Sequence, residues 1–186
     1  MRGFAESVAL MCLAAVLAVA VAAQGVPETF TATASVKTGA ANASGPVTVT
    51  ITRYSSEADR AAVMAALQGG GAARARTMLK ALGDAGFIQL GGRRTAIKFA
   101  SQRPTDTGRL VTVVTAEPIL FLGAGIPESK PRSGYEVAVA MLVLDGGKGR
   151  GELAPAAKIG LDDGGALLIE DYGATVIWLD GLTDAR

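Results

Sequence analysis

The run from Leu110 to Leu122 constrains the fold of this chain more than any other stretch. Leu110, Val111, Val113 and Val114 leave few polar positions, so the run can be buried on both faces. β-Branched side chains suit a pleated strand, where their restricted χ1 costs little. Pro118 has no backbone donor and is expected to end the pairing or to mark an edge. A strand of this kind requires partner strands, and the sequence on both sides supplies them.

Ahead of it, Phe30, Ala32, Ala34 and Val36 alternate with hydroxyl residues and Lys37, and Val47, Val49 and Ile51 alternate with threonines. Both are period-two patterns with one apolar face. Gly39–Gly45 between them reads as a hairpin loop or tip. The period then changes. Ser56 with Asp59 marks a helix start, in which the hydroxyl caps free backbone donors. Gly69-Gly70-Gly71 is expected to stop that helix, and a second one is expected from Ala72 to Leu82. The pair predicts a helical hairpin at about residues 56–82, laid on the sheet.

Phe87–Leu90 and Thr95–Ala100 return to strand, with Ile97 and Phe99 expected inward. Beyond Leu122, Gly123–Gly134 is a long irregular segment, of the kind in which function often sits. From Tyr135 a meander follows: Val137, Val139, Met141 and Val143 face one way and Ala138, Ala140, Leu142 and Leu144 the other, both sides covered. Pro155 argues for an edge or a bulge in the next strand, and Asp162-Asp163-Gly164-Gly165 signals a hairpin turn. Two further strands, Ala166–Ile169 and Thr175–Leu179, are expected to make the last hairpin, joined by Glu170-Asp171-Tyr172-Gly173. The expected fold is α+β: an antiparallel barrel or sandwich of about 8–9 strands with the helical hairpin inserted after the second.

The front of the chain predicts its destination. Arg2, an apolar run to about Ala23 and the small residues of AVAVAAQ form the signal-peptide pattern, so residues 1–23 are expected to be removed. The single domain is then 24–186, exported to the periplasm or secreted, with no membrane span left after cleavage. Cys12, the only cysteine, lies in the leader behind Met11, which argues against a lipid-modified cysteine. The mature chain can form no disulfide, yet its length lets it bury roughly 70% of its unfolded surface, enough for a core that stands alone.

There is no histidine. That removes Ser–His–Asp and Cys–His catalysis, histidine-ligated metals and the histidine pH switch. No cofactor is expected, and the reading leans away from an enzyme. Residues 24–110 carry 11 basic and 5 acidic side chains, and residues 111–186 carry 6 and 11. Such a split marks either a basic binding face or two halves that complement one another within one fold, and the near-neutral total gives no footprint for nucleic acid.

Two groups are candidate sites. Arg93, Arg94, Lys98, Arg103 and Arg109 are close in sequence and are expected either to share a face that holds an anionic surface, such as an envelope polymer, or to protect a sheet edge. Glu170-Asp171-Tyr172 puts two carboxylates and a phenol at a strand end, although neighbours on a strand point to opposite faces. Asp145–Glu152 reads as a glycine-rich hairpin tip, because it lacks the alternating ligands of a calcium loop and the strand-to-helix setting of a phosphate loop. Trp178, the only tryptophan, reads as a core anchor or as part of a binding surface.

With these segments in view, TVVTAEPILFLG, GELAPAAKI and LLIEDYGATVIWL make the chain resemble a group of exported bacterial hypothetical proteins. The resemblance implies bacterial export and carries no site residue. The functional expectation is a non-catalytic binding or assembly module of the cell envelope, its partner an envelope protein or an anionic envelope polymer. The alternatives are a carrier of a small apolar ligand inside a barrel, and a carboxylate-based hydrolase of envelope glycans, which needs two of Glu117, Glu136, Glu152, Glu170 and Asp171 in one cleft.

Overall fold

A computed structural model describes residues 27–37, 42–119, 133–162 and 167–185. The expected leader, the segment 123–132 and the turn at 163–165 therefore lie outside the described residues. The strands are β1 (Glu28–Lys37), β2 (Asn42–Ile51), β3 (Gly86–Leu90), β4 (Arg93–Thr105), β5 (Gly108–Thr115), β6 (Val137–Asp145), β7 (Lys148–Leu161), β8 (Leu167–Tyr172) and β9 (Ile177–Asp184). One helix, α1 (Glu57–Ala81), lies between β2 and β3.

Every pairing is antiparallel. The sheet runs β6-β5-β4-β3-β2-β1-β9-β7, and β6 pairs with β7 to close it into an eight-stranded barrel. The strand β8 stands outside the ring, paired with the far end of β7. Closure rather than a sandwich follows from local bending. The β1/β9, β4/β5, β6/β7 and β7/β9 ladders all shift register once, and such bulges coil the strands that carry them. The β6/β7 shift falls between Val137↔Ala157 and Val139↔Ala154, so Pro155 sits in a bulge as its missing donor predicts.

The barrel interior is filled by its own side chains. Phe30, Val49, Ile51, Ile88, Ile97, Val111, Leu142, Leu153 and Leu179 belong to one buried cluster. A second apolar layer lies outside. Val63, Leu67, Ala75 and Leu79 of α1 pack on Phe99, Val114, Val137, Val139, Ala154 and Ile159. This explains why Val113–Val114 and the start of β6 read as apolar on both faces: Ala138 and Ala140 face the interior, and Val137 and Val139 face the helix. Val143 lies on the helix side of the alternation and is exposed.

Three expectations are corrected here. The last two strands do not form a hairpin with each other: β8 and β9 each pair with β7, at different stretches of that long strand. The helical hairpin is one kinked helix: the break expected at the glycine triplet is there, at Gly71, but the two segments run on as one element. The only non-helical residue within it is Gly71 (φ 64°, ψ −160°), a conformation that suits glycine, and one residue is too short a connector to fold a second helix back on the first. Phe99 does not point inward with Ile97: a register shift between them leaves Ile97 in the barrel and turns Phe99 out under the helix.

The start of α1 forms as its sequence predicts. Ser56 Oγ accepts from Asp59 N at 3.1 Å and Asp59 Oδ2 accepts from Ser56 N at 3.2 Å. Arg53 donates to the same carboxylate at 3.0 Å. That bond first, and the backbone bond from Ser56 next, hold the Asp59 carboxyl below its ordinary range. Its stabilising contribution is thus present at neutral pH and is lost as pH falls through the depressed value. Ser56→Ala is expected to lower stability by about 1 kcal/mol, read from a urea midpoint shift at unchanged slope.

Candidate functional site

The outward turn of Phe99 organises the outer face of the barrel. Beyond it on β4, Ser101 and Arg103 follow on the same side; Leu110 and Thr112 of β5 and Met141 of β6 continue the floor. Arg60 and Met64 of α1 form one wall, and Leu167–Ile169 and Tyr172 of β8 form another. Together they enclose a groove of about 460 Å³. Its base carries an apolar patch, with Phe99 buried and Met64 and Met141 half-buried beside it, and Ser101, Gln102 and Thr112 add polar groups to the lining. Arg60 and Arg103 are exposed at the rim.

The strand outside the ring makes this groove. Because β8 pairs with the far end of β7 instead of joining the ring, it stands over the outer face rather than extending it. Its Tyr172 reaches back along β7, and the phenol donates to Glu152 Oε1 at 3.1 Å. Partial burial and the Glu152 carboxylate both push the Tyr172 phenol up, which keeps it a donor at neutral pH. Glu152 lies in an outward row that runs in register from Ser101 through Thr112, Met141, Glu152 and Trp178 to Ser35. Trp178 is 55% exposed, so it is not a core anchor. It lines a separate cleft with Ser35, Lys37 and Asp180.

The five cations read together from the sequence do not converge. Arg94 stacks on the Phe87 ring at 3.8 Å and, with Arg93, lines a cleft near Glu117 and Ile119. Lys98 binds Asp84 at 2.7 Å and the Leu82 carbonyl. Arg103 enters the outer groove. Arg109 is not a surface residue. At one end of the barrel it donates to Glu28 at 2.9 Å, Gln102 at 2.9 Å and Asp184 at 3.1 Å, with the Glu28 and Asp184 carboxylates buried. Tyr54 donates to Glu28 at 3.0 Å, and burial with the Glu28 charge pushes that phenol well above its ordinary value. Two separations scatter the residues: β4 is long, so Arg93 and Arg94 lie at its other end, and Arg103 and Arg109, near one end, sit on opposite faces of the sheet.

Glu170-Asp171-Tyr172 likewise separates into three contacts. Glu170 binds Lys158 at 2.8 Å, Asp171 accepts from the Tyr135 hydroxyl at 2.6 Å, and Tyr172 turns to Glu152. Glu136 takes Arg76 at 3.1 Å. Among the described residues no three of His, Cys, Asp or Glu are grouped to hold a metal ion, and no helix is long and apolar enough to cross a membrane.

Sequence reasoning missed the groove. Arg60, Met64, Thr112 and Met141 come from three elements with no shared spacing, and only the placement of β8 brings them under one roof. The arrangement brings apolar side chains, two cations and a phenol to one groove. No protein-family model, no curated protein and no solved structure matches the chain, so the functional reading rests on this geometry.

Proposed function

We propose that this chain is a non-catalytic binding module of the cell envelope whose recognition surface is the groove between α1, β8 and the outer face of β4–β6. The observation that carries the reading is the apolar patch at the base of that groove beneath the two rim arginines. The dispersal of the carboxylates supports it. Glu136, Glu152, Glu170 and Asp171 each take a different partner, and Glu117 lies in another cleft. The side-chain-filled interior moves any ligand to the outside of the barrel. The envelope setting rests on the signal-peptide pattern and on the resemblance to exported proteins.

Native mass spectrometry of the protein recovered from a bacterial periplasm tests this. The wild type is expected to retain a non-covalent ligand. Thr112→Trp, which fills the groove floor, is expected to lose it while melting within about 2 °C of the wild type, as suits a substitution worth under about 0.5 kcal/mol. Wild-type protein that emerges bare, or a ligand that survives Thr112→Trp, would refute the assignment.

A further inference from the structure

We infer that the groove holds a single acyl chain with a carboxylate head, the chain along the apolar floor and the head between Arg60 and Arg103. The inference rests on the reading of the groove as the recognition surface and adds the class of ligand.

Charge supplies the first argument. Arg60 and Arg103 line one groove from two elements, and neither side chain makes a hydrogen bond or ion pair among the described residues. Arg53, Arg76 and Arg109, by contrast, are each committed to carboxylates. Asp162 is the one carboxylate on the lining, and it has an interaction of its own. Two uncommitted guanidiniums thus face the groove, and their planar forks match a carboxylate.

The floor supplies the second argument. A small anion has no use for Met64, Phe99, Leu110 and Met141, and a neutral apolar ligand has none for the arginines. An amphiphile uses both. Unbranched Met64 and Met141 adapt to a flexible chain more easily than a β-branched wall does. Size supplies the third. About 460 Å³ is at the small end of ligand sites, which suits one chain and not a two-chain lipid.

Calorimetric titration of delipidated protein, produced from the full chain, tests the assignment. The probes are palmitate, hexadecanol and acetate, the first two kept below aggregation. Palmitate is expected to bind, hexadecanol at least about tenfold more weakly, and acetate not at all, the tenfold reflecting a charge-assisted hydrogen bond. Arg60→Gln and Arg103→Gln are each expected to weaken palmitate about tenfold and to leave hexadecanol unchanged. Both positions are exposed, and melting curves check that the variants fold. Thr112→Trp is expected to abolish both ligands.

Hexadecanol binding as tightly as palmitate, or glutamine variants without effect, would overturn the inference. So would failure of palmitate to bind. A single-chain acyl phosphate that outcompetes palmitate would overturn the carboxylate head. A retained native ligand that is lost in Thr112→Trp, together with no palmitate binding, leaves the groove as the recognition surface and removes only the ligand class.

Discussion

Arg109→Leu is expected to remove about 4 kcal/mol of folding stability, in the range for taking one partner from a buried charge pair. Against a typical total of about 5–15 kcal/mol this is a large fraction. The reason is what stays behind. The Glu28 and Asp184 carboxylates are 1% and 5% exposed, and both ion pairs run to this one guanidinium. The same side chain ties β5 to the first residue of β1 and the last of β9, so it joins both ends of the described domain at one end of the barrel. Lysine is no substitute, because one ammonium cannot span Glu28, Gln102 and Asp184 in the plane that the fork covers.

The loss is expected to come from charge rather than from packing. A buried carboxylate that loses its guanidinium costs more than a neutral amide of the same shape at the same place. Adding Glu28→Gln to Arg109→Leu should therefore recover part of the loss in urea titrations, as a double-mutant cycle. No recovery would show that packing, not charge, dominates at this end of the barrel.

Gly86→Ala is the second large effect, at about 4 kcal/mol. Gly86 lies in β3 between Ile51 and Ile97 with φ 152°, a region that L side chains rarely adopt. A Cβ built there would stand 1.9 Å from the Thr50 carbonyl oxygen and 3.0 Å from the Ile51 Cα. Both obstacles are backbone within a paired ladder, so no flexible side chain can move aside. Strain of about 1–3 kcal/mol and overpacking of similar size act together. Gly91→Ala is the control. It also has positive φ, at 55°, but a Cβ there meets nothing within 4 Å. It should cost only about 1–2 kcal/mol, the left-handed penalty alone. Equal losses in the two variants would show that backbone conformation, and not the collision with Thr50, sets the effect.

Legibility in the sequence followed the range of the interaction. Period-two alternation in β1, β2 and β6 gave strands and their inward faces, because side-chain direction in a strand is set by position alone. The Ser56–Asp59 cap was legible for the same reason: three residues carry it. Phe99 was misread because alternation assumes no bulge, and the shift after Ile97 shows only once β5 pairs alongside. Trp178 was left undecided because an outward row becomes visible only when β7 and β9 are in register.

By itself the sequence determined that this chain is an antiparallel sheet protein with a helical insertion, without histidine chemistry, and with both faces covered at Val113–Val114. These follow from composition and from patterns a few residues long. The tertiary structure alone decided the rest. Pairing of β6 with β7 chose a barrel over a sandwich, since ring closure depends on bulges and registers spread over the whole chain. It sent Arg109 into a buried ion network and Arg103 to a groove, although they are six positions apart, because the β4–β5 hairpin places each on its own face. The position of β8 outside the ring then made that groove, from residues that no local pattern connects.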